Sequence, residues 1–203
     1  MSIFITKADG TKELHNADRV NRSIERACIG LTDPISKVTQ IATETNLTLY
    51  NGITTDEMDK ATINAAVQNI KEDVEFDKIA TRLLVKTVYR RVVGDYNKDD
   101  LEDLKKKHRD AFIVYIETGI NAKRLHPLMK ERFDLNVLAD TLSPERDELF
   151  QYAGLDGLIN RYIIKDADQN PLETPQYMFM RIAMGLSFNE QNPTEYAKKF
   201  YDK

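Results

Sequence analysis

Apolar and polar positions alternate at the start of the chain, through Ile3-Phe4-Ile5-Thr6-Lys7, into an Asp9-Gly10 turn. A short polar strand follows, and the pattern predicts a β-hairpin. At Asn16 the period changes. Val20, Ile24, Ala27 and Cys28 recur at helical spacing behind an Asn N-cap, and Gly30 ends that helix. Asp33-Pro34 restarts a helix with Pro at its first position and a stripe of Val38, Ile41, Ala42 and Leu49. Asn51-Gly52 is a turn, after which Ile53 is expected to add a short third strand to the hairpin. Thr54 to Glu57 spells a capping box, followed by Met58, Thr62, Ala65, Ala66 and Ile70. A fourth helix from about Asp77 carries Ile79, Leu83, Leu84, Val88 and Val92 and closes at Gly94. The first half therefore reads as four helices capped by a small three-stranded sheet.

Charge rises and apolar content falls from Asn97 to Lys107, which reads as a boundary: domain 1–94, charged linker 95–107, second domain 108–203. The second domain is again helical. One stripe is Phe112, Tyr115 and Ile116, ended by Gly119. Another is Leu135, Leu138 and Leu142, and a third runs from Glu145 to Tyr152, ended by Gly154. Arg161 to Ile164, then Asp166 to Pro171, then Leu172-Glu173 predict a second hairpin. Thr174-Pro175 opens a helix to about Phe188, and Asn192-Pro193 opens the last one, within which the chain ends. The fold class is mainly α.

Composition narrows the function. The net charge of −4 gives no footprint for nucleic acid. No apolar run approaches the ~20 residues that cross a bilayer, and the N-terminus has no signal-peptide core, so the expected location is cytoplasmic. The one cysteine, Cys28, falls on an apolar helix face and reads as a buried, inert thiol. His15, His108 and His126 have no metal-ligand spacing, so no metal site is expected, and no Walker loop or dinucleotide fingerprint is present.

The candidate chemistry is an anion seat. Lys7 and Arg19 carry the charge to neutralise a triphosphate, Glu13 and Asn16 suit a purine edge, and Thr55 lies in the first turn of a helix whose N–H groups favour phosphate. Arg90 is a further cation. Arg19, Arg22 and Arg26 share a helix face. On the other reading, Asn16 and Thr54 are caps and the charges are solvated faces; residue chemistry alone leaves both open. Cap and core account for the stretch Glu173 to Leu186 without chemistry.

A resemblance adds to this. Thr6-Lys7-x-Asp9-Gly10, Leu49 to Thr55, Ala80 to Leu84 and Tyr89-Arg90-Arg91 resemble an ATP-cone, the regulatory nucleotide domain of ribonucleotide reductase large subunits. Leu125-His126-Pro127, Glu145-Arg146-Asp147, Tyr152-x-Gly154-Leu155, Arg161-Tyr162 and Glu173 to Gln176 resemble the N-terminal helical domain of the same subunit. The resemblance implies binding of ATP as activator or dATP as inhibitor, with Mg²⁺, to control overall ribonucleoside-diphosphate reduction through subunit assembly. Lys7 and Arg90 would hold phosphates. Glu13, Leu14, His15, Asn16, Ala17, Asp18 and Arg19 would line base and ribose, Thr55 would lie at the site, and Ile5 and Asp59 are additional candidates. The chain departs from the family at Ala8, where arginine is usual, and at Asp59, where relatives often place histidine.

The family's chemistry needs a radical-bearing cysteine and a redox pair in a later barrel. Cys28 matches none of them, so no catalytic residue is expected and the chain alone should be inactive. Implied partners are the rest of the large subunit, the radical-generating small subunit and further copies of the same chain. Two alternatives remain at this point: a degenerate cone serving only subunit contact, and a cone-containing transcriptional regulator, against which the missing zinc-ribbon cysteines count.

Overall fold

A computed structural model describes residues 3–7, 9–96 and 100–203. The chain divides into two units. Unit 1 comprises residues 1–87 with 150–153, and unit 2 comprises 88–149 with 154–203.

Unit 1 begins with β1 (Phe4–Thr6) and β2 (Lys12–Leu14), antiparallel, with Ile5 opposite Glu13 and Phe4 opposite Leu14. The turn holds because Gly10 takes φ +80°, and because Asp9 Oδ1 accepts from the Thr11 N–H at 2.9 Å and its hydroxyl at 2.6 Å. Four helices follow: α1 (Ala17–Ala27), α2 (Pro34–Thr48), α3 (Thr55–Asn69) and α4 (Glu75–Val92). The Thr54–Glu57 capping box is formed, and Asn16 caps α1 through the Arg19 N–H at 3.3 Å.

The third strand at Ile53 is not there: among the described residues the sheet has two strands. Residues 51–54 meet β1 through one parallel bridge, Thr6 with Thr54. The Thr6 N–H donates to Ile53 C=O at 2.9 Å, and the Gly52 N–H donates to Phe4 C=O at 2.8 Å. Gly52 turns the backbone at φ +92°, and the Glu57 carboxylate takes the Thr54 N–H at 2.9 Å, so no ladder can continue.

The core of unit 1 packs Ile24, Cys28, Ile41, Ala66, Ile79 and Ala80 between the helices. Burial pushes the Cys28 thiol up to about 11, which keeps it protonated and unreactive. Lys37 sits on the inner side of α2 and is buried. Its ammonium donates to Thr32 C=O at 2.7 Å and pairs with Asp73 at 2.8 Å and Glu75 at 2.9 Å, which pins the start of α2 to the α3–α4 turn. Arg82 donates to the carbonyls of Ala27 and Ile29 at the end of α1. Residues 150–153 group with this unit because Tyr152 packs on its core and its N–H meets the Asp77 carboxylate at 3.2 Å.

Unit 2 takes the last residues of α4, then α5 (Leu101–Asn121), α6 (Leu128–Glu131), α7 (Leu135–Thr141) and a 3-10 helix (Pro144–Leu149). The remainder of α8 (Tyr152–Arg161), α9 (Pro175–Leu186) and α10 (Pro193–Tyr201) complete it. Residues 101–107 of the charged stretch are the opening turns of α5, capped by the Asp100 carboxylate; 97–99 lie outside the described residues. Gly119 does not end α5. A Cβ there would lie 2.6 Å from Leu125 Cδ1, so the glycine admits the chain where it folds back across the helix. The third stripe is a 3-10 helix followed by α8, and Gly154 lies inside α8. The second hairpin reduces to one bridge, Lys165 with Pro171. Two ladder bonds flank it, Asp166 N–H to Asn170 C=O and Leu172 N–H to Ile164 C=O, both at 2.9 Å, and the Asp166 carboxylate tightens the turn by accepting the Asn170 N–H at 2.8 Å.

The core of unit 2 is Phe112, Ile116, Leu138, Tyr177, Met180 and Met184. Polar groups are threaded through it. Glu173, fully buried, receives Arg181 at 2.8 Å, the Ile164 N–H at 2.9 Å and the Tyr115 hydroxyl. Asp147 receives the Tyr89 hydroxyl at 2.7 Å and the Gln176 amide at 2.6 Å, while Tyr201 donates to Gln176. His108 packs between the rings of Tyr89 and Tyr177, tilted to both, and its Nε2 lies 3.0 Å from Thr174 Oγ1; burial holds it at about 3, hence neutral.

Two outcomes follow from this packing. Gly157→Ala, with open space at the Cβ, should stabilise by up to ~1 kcal/mol in urea unfolding. Gly119→Ala should lose ~1–3 kcal/mol to overpacking, outweighing that same helical gain, and equal stability of the two variants would refute the close approach. The second concerns Asp147, whose burial raises its carboxyl from 3.8 to about 6. Well below pH 3.8 it is protonated folded and unfolded alike. As pH rises toward 6 the unfolded chain ionises first, so this residue subtracts stability, fully so above 6, on the order of 3 kcal/mol. The stability of the wild type relative to Asp147→Asn should therefore fall between pH 4 and pH 7; a flat difference would refute the buried, raised carboxyl.

Candidate functional site

The side-chain period of two sets the hairpin's faces. Ile5 points inward and is buried, and Glu13, opposite it, shares that face. Lys7, two residues past Ile5, reaches Glu13 Oε2 at 2.6 Å. Leu14, paired with Phe4 on the other face, is 58% exposed, which takes one expected lining side chain away from Lys7 and Glu13. The hairpin then runs straight into α1, so Arg19 on its first turn reaches Glu13 Oε1 at 2.9 Å. One carboxylate thus holds two cations beside the start of α1.

The pairs are exposed enough to exchange. Lys7, Arg19 and Glu13 keep 43%, 64% and 34% of their side-chain surface. The hydrogen bond from Lys7, aided by the charge of Arg19, holds the Glu13 carboxyl below its ordinary value. Solvated pairs of this kind contribute little, so an anion of higher charge can displace the carboxylate with little loss.

His15 connects β2 to the cap. Its N–H donates to Ile3 C=O at 2.8 Å, and both ring nitrogens are shielded from solvent without a hydrogen-bond partner among the described residues. Asn16 commits its side chain to the cap, while Ala17 and Asp18 are exposed on the first turn of α1. Thr55 opens α3 directly after the bridge that ties Thr54 to β1. Asp59, one turn on, lies 3.6 Å from the ammonium of Lys86, which also donates to Ser23 Oγ at 2.6 Å. Arg90 is on the last turn of α4, in the stretch that groups with unit 2, and is described there and not with the hairpin. Ala8 lies outside the described residues. Sequence reasoning misses Lys86. Its signal is a single cation among Leu83, Leu84, Val85 and Val88, one helical turn before Arg90.

Among the described residues no group of three or more His, Cys, Asp or Glu is placed to hold a metal ion, and no helix is long and apolar enough to cross a membrane.

Comparison with known proteins bears on both units. Residues 3–91 match the family model of the ATP cone domain, and residues 148–203 match that of the ribonucleotide reductase all-alpha domain. The chain thus carries a cone followed by a reductase helical domain. The alpha subunit of ribonucleoside-diphosphate reductase from Chlamydia trachomatis is 34% identical over 204 residues, covering 99% of this chain and 19% of that protein. The Helicobacter pylori alpha subunit is 33% identical over 203 residues, covering 98% and 24%. The Escherichia coli subunit alpha of reductase 1 is 25% identical over 206 residues, covering 99% and 26%. The chain spans about a fifth to a quarter of the relatives it matches. It belongs with the ribonucleotide reductase alpha subunits and corresponds to their N-terminal part.

The Glu13 clamp predicts an ordering of titrations. In NMR-monitored titration the Glu13 carboxyl should have its midpoint below the ordinary glutamate value of 4.5. Lys7→Ala should raise that midpoint more than Arg19→Ala does, because the lysine hydrogen bond is the larger cause. An unmoved midpoint in both variants would contradict the clamp.

Proposed function

We propose that unit 1 is an effector site that binds ATP or dATP and through it sets the overall activity of a ribonucleoside-diphosphate reductase. The observation that carries this reading is the Lys7–Glu13–Arg19 cluster at the start of α1, inside the segment matched by the ATP cone model. Bound nucleotide would take Lys7 and Arg19 from Glu13, and the polyphosphate would gain charge-assisted hydrogen bonds that the solvated carboxylate gives up readily. Thr55 would add a hydroxyl and the N–H groups of the first turn of α3, and Arg90 a further cation. Glu13, Asn16 and His15 would face base and ribose, with Ile5 beneath them. ATP would act as activator and dATP as inhibitor.

Mg²⁺ fits this site as the metal of the nucleotide. The nearest carboxylate is already paired to two cations, and Mg²⁺ commonly takes its ligands from phosphates and water. Two nucleotides side by side would need it more, since their phosphates repel.

The second unit would dock the regulatory domain onto the rest of the large subunit, with a radical-generating small subunit and further copies of the chain as the partners whose assembly the effector controls. Such an enzyme works in the cytoplasm, supplying deoxyribonucleotides for DNA replication. The chain itself, whose single cysteine is buried and protonated, would have no reductase activity alone.

Calorimetric titration with ATP, dATP and GTP in Mg²⁺ tests the reading. The expected result is adenine-selective binding that Lys7→Ala weakens by about tenfold or more. Absence of heat and of thermal shift with all three would refute it and favour a cone kept only for subunit contact, the reading left open by the two departures from the family, Ala8 and Asp59.

A further inference from the structure

Three helices of unit 1 place polar side chains in two levels. On α1, Arg19 and Ser23 are four residues apart and share a face; on α3, Thr55 and Asp59 do the same. Ser23 and Asp59 form the lower level, one helical turn or about 6 Å below the upper. Lys86 joins them, with its ammonium 2.6 Å from Ser23 Oγ and 3.6 Å from Asp59 Oδ1. Arg19 and Thr55, above, are residues of the proposed nucleotide site.

Ser23 holds the lysine at hydrogen-bond distance. Asp59 does not: 3.6 Å is well beyond the ~2.7–2.9 Å of a charge-assisted hydrogen bond. The ammonium is therefore oriented by a neutral hydroxyl and attracted, at longer range, by a carboxylate with only 14% of its side-chain surface exposed. On its flexible stem the ammonium can exchange the long contact to Asp59 for an anion of higher charge without leaving Ser23.

We propose that Lys86 is a phosphate-binding cation at the floor of the nucleotide site, positioned by Ser23 and kept in reserve by Asp59. This rests on the nucleotide reading of unit 1 and adds a ligand and a restraint to it. Lys86 contacts the polyphosphate, so its contribution scales with phosphate charge and is absent for an uncharged nucleoside. Asp59 opposes it, competing with phosphate for the ammonium and repelling the polyphosphate.

The test titrates the full 203-residue chain with ATP and with adenosine in Mg²⁺, for the wild type and for Lys86→Met, Lys86→Arg and Asp59→Asn. Lys86→Met should weaken ATP by about tenfold or more while adenosine changes less than about twofold. Lys86→Arg should keep most of the ATP affinity, and Asp59→Asn should tighten ATP several-fold. The Asp59 and arginine variants decide the matter should the methionine variant fail to fold. Wild-type binding with ATP affinity unchanged in the variants, weaker ATP binding by Asp59→Asn, or equal losses for ATP and adenosine would overturn the role of Lys86 and leave the nucleotide reading standing. A wild type that binds neither ligand would overturn both.

Discussion

Everything in the first unit depends on where β1 directs its backbone hydrogen bonds. One edge pairs with β2. The other receives Gly52 and reaches Ile53, which ties the hairpin to the residue that caps α3. The same hairpin runs into the cap of α1 without a spacer. Two helix starts are therefore fastened to one strand, and the cations near them are brought to a common carboxylate. A longer third strand would satisfy more backbone groups. It would also consume the Thr54 N–H that the Glu57 carboxylate needs for the capping box.

The second unit is built under a different constraint. It buries full or potential charges and answers each with several partners. Glu173 has an arginine, a hydroxyl and a backbone N–H; Asp147 has a hydroxyl and an amide but no cation. Burial is what pushes Asp147 toward the neutral form. An uncompensated carboxylate bears the full desolvation penalty, which a paired one offsets through its counter-ion. The 3-10 helix that carries Asp147 and the caps around Thr174 are held by these polar contacts as much as by apolar packing.

Legibility follows the range of the interaction. Asn16, Thr54 and Thr174 act as caps as their local sequence predicts, because a cap is decided within three residues. The Lys7–Glu13–Arg19 cluster is legible for the same reason: hairpin register and one helical turn bring the three together. Leu14 reads as lining only while the run from Glu13 to Arg19 is treated as one surface; strand alternation turns it to the other face. The second hairpin is present only as a single bridge around a tight turn, and Gly119 and Gly154, which look like stops, lie inside helices. Glu173 and Gln176 pass as ordinary cap-and-core neighbours because nothing local says that a glutamate will be buried.

The sequence by itself determined most of the helices, the caps at Asn16, Thr54 and Thr174, the first hairpin and the family, since each is written in short-range pattern or in ordered motifs along the chain. Only the tertiary structure decided which charged side chains from different helices meet. Lys37 with Asp73 and Glu75, and Lys86 with Ser23 and Asp59, join residues tens of positions apart. No periodicity encodes such contacts, because they depend on which helix faces pack together and not on the order of residues within any one of them.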